Sequence, residues 1–208
     1  MITSLAQFIT GYLIKNNIID NTKFDIYIYG FEIMISNIIC FSIGLIIGVI
    51  FSQLIEIIIF LIVFSLMRRY CGGYHADTYL KCDSIFAINI FVVMTLTRMI
   101  SRYSIYAHFI IVCISFISIL FLAPVENKYK PLTIEDKKKH KLSAIILAFM
   151  VIIISSILYF ISIQYSIITD MALITVAISM IIEVLKKGCE RPANKSQEYN
   201  ENFTNYSQ

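Results

Sequence analysis

Along the chain, apolar residues fall first at helical spacing and then in near-continuous runs. Over residues 1–16, Ile2, Leu5, Phe8, Ile9, Tyr12 and Leu13 share one side of a helix, with Ser4, Gln7, Thr10 and Lys15 on the other. That pattern predicts an amphipathic helix lying in a membrane interface. It has no basic start and no small-residue cleavage site, so it is not expected to serve as a signal peptide. Six strongly apolar stretches follow, at about 27–51, 52–67, 84–100, 104–123, 142–163 and 168–185. Crossing a bilayer takes about 20 such residues. The expected fold class is all-α, a polytopic membrane helical bundle of about six transmembrane helices preceded by the interfacial helix. The second stretch is short, and its link to the first holds Ser52, Gln53 and Glu56, so these two are expected to form a tight or tilted hairpin. Lys186-Lys187-Gly188 reads as a basic last turn closed by a helix-ending glycine. The pattern gives one membrane-embedded domain over 1–191, with an interfacial segment at 1–24, a polar segment at 68–84 and a basic loop at 124–141. The tail, 192–208, is polar and expected to be disordered.

Composition excludes the soluble classes. Apolar residues make up 58% of the 208 positions and charged ones 15%, with a mean hydropathy of +0.78. A water-facing surface needs roughly a quarter of the residues charged. The net charge of +3 does not call for nucleic acid, because basic residues in such a chain set its orientation. With the N-terminus inside, Lys15, Lys23, Arg68, Arg69, Lys81, Lys128, Lys130, Lys137, Lys138, Lys139, Lys141, Lys186, Lys187, Arg191 and Lys195 all fall on the cytoplasmic side. Of the 17 Lys and Arg residues, only Arg98 and Arg102 then lie outside. The expectation is a multi-pass cell-membrane protein with both termini cytoplasmic. The five cysteines are too dispersed for a disulfide scaffold.

Reactive side chains concentrate between the second and third stretches, in Arg68-Arg69-Tyr70-Cys71-Gly72-Gly73-Tyr74-His75-Ala76-Asp77-Thr78-Tyr79-Leu80-Lys81-Cys82-Asp83-Ser84. A free thiol is only a few per cent thiolate at neutral pH and needs a base, which histidine supplies. His75 and Cys82 are therefore a candidate dyad: imidazole takes the thiol proton, sulfur attacks a carbonyl, and imidazolium protonates the departing amine. On one straight helix, seven residues would set them ~10 Å apart. The chain must bend between them, or a helix must begin there, with Asp77 or Thr78 as its N-cap. Gly72-Gly73 is expected to leave the preceding loop free to fold His75 back. Two plainer readings stand beside the dyad. Cys71, His75 and Cys82 with Asp77 or Asp83 are possible metal ligands, although the spacing lacks the compactness of common zinc sites. Arg68, Arg69 and Lys81 serve equally well as topology anchors. Glu32, at the cytoplasmic part of the first stretch, is a possible partner for Arg68 or Arg69.

The order Arg-Arg, Gly73, His75 and Cys82 between two apolar spans resembles the accessory gene regulator B family of Gram-positive quorum-sensing systems. The amphipathic start, the six apolar segments and the lysine-rich loop extend the resemblance over nearly the whole chain. It implies a membrane cysteine endopeptidase that processes a small precursor into a cyclic autoinducing peptide, with Cys82 as nucleophile and His75 as base. Arg68 and Gly73 match positions the family uses near the dyad, and Lys128, Lys130 and Pro131 match its basic loop. Lys137, Lys138 and Lys139, just beyond, are read with that loop as a site for the acidic tail of the precursor. Cys71 falls at a variable position and takes no part. The implied partners are that peptide, membrane lipid and a second copy of the chain in a homodimer, with no cofactor, no metal and no nucleic acid. A peptide exporter or transporter component without covalent chemistry is the alternative, although Glu32, Glu56, Asp170 and Glu183 mostly lie towards span ends and offer little of a midplane path.

Overall fold

A computed structural model describes residues 2–16, 18–20, 22, 24–74, 76, 78–100, 104–126 and 133–205, with side chains of the last helix described as far as Gly188. The described residues form the helices α1 (Ile2–Lys15), α2 (Phe24–Ile50), α3 (Leu54–Cys71), α4 (Tyr79–Met99), α5 (Ile105–Leu122), α6 (Ile134–Ile161) and α7 (Ile163–Asn205), and no strands. Five are long and apolar enough to cross a membrane: Phe24–Ile50, Tyr79–Met99, Ile105–Leu122, Ile134–Ile161 and Ile163–Gly188. The remaining predicted span is α3, whose uncharged stretch 57–67 lies between Glu56 and the Arg68-Arg69 pair. The all-α membrane bundle expected from the apolar pattern is the observed fold.

The chain divides into two compact units, Met1–Ile58 with Ala76–Met99 and Ile59–His75 with Ile100–Gln208. In the first unit, α2 packs against α1 and α4. α1 buries Ala6 and Thr10 and leaves Leu5, Phe8 and Tyr12 exposed, as an interfacial helix should. Thr10 falls on the side expected to be polar, yet it is buried; its hydroxyl donates to the Ala6 carbonyl at 2.8 Å, which satisfies it without water. The expected hairpin is present. Ser52 adopts a positive φ of 57°, Gln53 N–H donates to the Gly48 carbonyl at 2.9 Å, and a Cβ on Gly48 would collide with Ile57. α3 buries a stripe at helical spacing, namely Ile57, Phe60, Leu61, Phe64, Met67 and Cys71.

In the second unit, α7 packs on both α5 and α6. It buries Ile167, Ile168, Ala172, Leu173, Val176, Ala177 and Met180. The facing stripes are His108, Val112, Ser115 and Ile119 on α5, and Ala144, Ala148, Val151 and Ser155 on α6. A polar network lies inside this core. Asp170 meets His108 Nδ1 at 2.7 Å and accepts the Ser155 hydroxyl at 2.6 Å, while His108 Nε2 lies 3.2 Å from Ser156 Oγ. α5 and α6 start with side-chain caps, Ser104 accepting from Tyr106 N–H and Thr133 from Asp136 N–H. The backbone of α7 remains helical to Asn205, past the Gly188 at which the sequence pattern places its end. A lone glycine weakens a helix by only ~1 kcal/mol and cannot stop one unaided.

Candidate active site

The polar segment begins in the last turn of α3. Gly72 N–H donates to the Arg68 carbonyl at 3.0 Å and Val125 N–H to the Cys71 carbonyl at 2.8 Å, which satisfies two of the carbonyls at the end of the helix. The chain then turns through two glycines at positive φ, 74° at Gly72 and 133° at Gly73. Both are also crowded. A Cβ on Gly72 would strike the Val125 carbonyl, and one on Gly73 would lie 2.5 Å from Ser179 Oγ. Tyr74 N–H donates to the Ser179 carbonyl of α7 at 3.0 Å. The expectation of a loose glycine hinge is thus corrected: Gly72 and Gly73 form a pinned turn, because backbone hydrogen bonds and two close approaches fix the conformation that only glycine adopts.

Arg68 belongs to the same construction. Its Nη2 donates to the Tyr74 carbonyl, and its guanidinium lies over the Phe64 ring at 5.6 Å. α7 supplies three residues that the sequence pattern does not mark for this role. Ser179 receives the turn, Lys186 lies over the Tyr74 ring at 5.4 Å, and Lys187 Nζ donates to the Glu126 carbonyl. The two lysines read in sequence as a basic helix end, and nothing local signals their loop contacts. A cleft of about 390 Å³ opens beside them, lined by Leu122, Pro124, Val125, Glu126, Lys137, Val184, Lys187 and Gly188. Lys137 closes an ion pair with Glu126 at 3.0 Å, whereas Lys138 and Lys139 are exposed in the first turns of α6. His75, Asp77, Lys128, Lys130 and Pro131 lie outside the described residues.

Cys82 sits at the start of α4, in the first unit. Thr78 caps this helix. Its hydroxyl accepts from Lys81 N–H at 3.4 Å, and its carbonyl accepts from Cys82 N–H at 3.1 Å. The expected helix start is therefore present, with Thr78, one of the two expected caps, at its N-terminus. Cys82 is half-buried one turn into the helix. The other cysteine of the segment differs. Cys71 is fully buried, and desolvation pushes its thiol up to about 12, so it is a poor nucleophile.

Asp83 turns the other way, into the first unit, accepting from Ser36 Oγ at 2.7 Å and Cys40 Sγ at 3.2 Å. Glu32 accepts the Tyr79 hydroxyl at 3.0 Å, so its partner is Tyr79 rather than the Arg68 or Arg69 expected from depth. Among the described residues, no three His, Cys, Asp or Glu side chains gather as metal ligands do.

The model of the family Accessory gene regulator B matches residues 6–185. A protein of Clostridium perfringens strain SM101, whose name goes no further than AgrB-like, is 28% identical over 94% of this chain and 99% of its own length. The accessory gene regulator protein B of Staphylococcus haemolyticus is 26% identical over 69% of this chain and 76% of its own. No solved structure matches.

Proposed function

Because this chain belongs to the accessory gene regulator B family, which ties it to quorum sensing, we propose that it is a membrane cysteine endopeptidase that cuts a small precursor and allows it to cyclise. The observation that carries this reading is the contrast between the two cysteines of the polar segment. Cys82 is half-buried at a capped helix start, and Cys71 is sealed in the core.

In this reading His75 takes the proton of Cys82, and the sulfur adds to the scissile carbonyl of the precursor. The tetrahedral adduct collapses as the imidazolium protonates the departing amine, which frees the acidic C-terminal tail and leaves a thioester on Cys82. An internal Cys or Ser of the peptide then attacks that thioester, forming a thiolactone or lactone and returning the Cys82 thiol. Intramolecular attack benefits from effective molarities that reach ~10⁵ M or more. The pinned turn through Gly72 and Gly73, held by Arg68 and α7, supports the reading by restricting the backbone that leads into His75. Lysines of the 124–141 loop, Lys128 and Lys130 with Lys137, Lys138 and Lys139, attract the acidic tail. The bias of basic residues towards one side supports an orientation with both termini, and the site with them, in the cytoplasm.

Co-expression with the precursor in membranes tests the proposal. The wild-type chain should release the tail fragment and Cys82→Ala should release none. Processing by Cys82→Ala at the wild-type rate would overturn the assignment.

A further inference from the structure

The start of α4 is tied to α2 by two polar rungs. Tyr79 donates to Glu32 at 3.0 Å, and Asp83 accepts from Ser36 and Cys40 at 2.7 and 3.2 Å. The spacing is regular on both helices: Tyr79 and Asp83 are one turn apart, as are Glu32, Ser36 and Cys40. Asp83 is only 6% exposed. Burying a carboxylate is costly unless it is hydrogen-bonded, and an apolar residue would pack these helices more cheaply. Directional bonds fix what apolar contact between membrane helices leaves loose, namely rotation and register.

We infer that Asp83, held by Ser36 and Cys40, is a positioning residue that sets the orientation of Cys82 on α4, with the Tyr79–Glu32 rung assisting. The inference rests on Cys82 being the nucleophile. Cys82 lies between the rungs, about 100° around the helix from Asp83 and about 60° from Tyr79. A slip of α4 by one residue would swing the sulfur by about 100° and shift it by about 1.5 Å. Attack on a carbonyl tolerates far less, since an error of about 1 Å costs about 10²-fold in rate.

The test exchanges donor and acceptor. The full-length chain is assayed in membranes as wild type, Ser36→Asp, Asp83→Ser and the double swap. Two readouts are taken: kcat and KM for release of the precursor tail, and the rate of Cys82 alkylation by iodoacetamide, read by mass spectrometry. Asp83→Ser should lower kcat by about 10–100-fold with KM within about 3-fold. It should also change the alkylation rate at Cys82. Ser36→Asp, which sets two carboxylates face to face, should be at least as poor. The double swap remakes the bond with its ends reversed and should return kcat to within about 3-fold of wild type. Thermal unfolding of each purified variant separates positioning from folding, because kcat is compared per folded molecule. Unchanged kcat in Asp83→Ser, or a folded double swap no better than the single variants, would overturn the inference. Cys82→Ala is run alongside. If it cleaves the precursor, the nucleophile assignment itself has failed; if it is dead while Asp83→Ser is fully active, only the positioning role has.

Discussion

Gly72 and Gly73 carry two constraints at once, a positive φ and a backbone or side chain pressed against the missing Cβ. Gly72→Ala and Gly73→Ala should each destabilise the fold by about 1–3 kcal/mol and depress precursor cleavage. Gly11→Ala and Gly30→Ala, where a Cβ meets nothing within 4 Å inside helices, should be neutral or slightly stabilising. Thermal unfolding in detergent reads both pairs, and equal tolerance at all four positions would contradict the pinned turn. Scarcity of reactive residues elsewhere makes the segment 68–84 stand out in the sequence as an expected place of chemistry. The behaviour of its glycines is not legible there. Whether Gly-Gly is a hinge or a clamp depends on Val125 and Ser179, about 50 and 100 residues further along the chain, and no local pattern encodes that distance.

Helix positions followed from apolar periodicity, and so did the α2–α3 hairpin, since both arise from local chemistry. The polar ties between helices did not follow. Asp83 with Ser36 and His108 with Asp170 pair residues far apart in sequence, and each partner alone reads as an ordinary polar interruption. In sequence alone Asp170 is a candidate for a transport path. Its bonds to His108 and Ser155 make it a tie between α5, α6 and α7. Removing one member takes from the other its ionic partner inside a buried core. His108→Phe should therefore cost about 3–5 kcal/mol, and combining it with Asp170→Leu should be less damaging than His108→Phe alone. A double variant as unstable as the sum of the two singles would show that the pair is not coupled.

At the scale of the whole molecule, the proposed function gives charge two roles, orienting the chain and recruiting the peptide. Lys137 is already paired with Glu126, and exposed pairs of this kind contribute about 0–1 kcal/mol. Lys138 and Lys139 are exposed. Lys138→Glu with Lys139→Glu should raise KM for the precursor several-fold at low salt with kcat nearly unchanged, and more than Lys137→Ala does. The difference should fade as ionic strength rises, because the Debye length shrinks to about 3 Å at 1 M. Equal KM values for all variants at low salt would remove these lysines from tail binding.

Covalent catalysis at Cys82 can be read by mass spectrometry of the protein quenched in acid during turnover of the precursor. Cys82 should then carry an adduct equal in mass to the peptide without its tail, released by hydroxylamine as thioesters are and missing from Cys82→Ala. Tail release at the wild-type rate with no adduct at Cys82, or with the adduct on another residue, would contradict it.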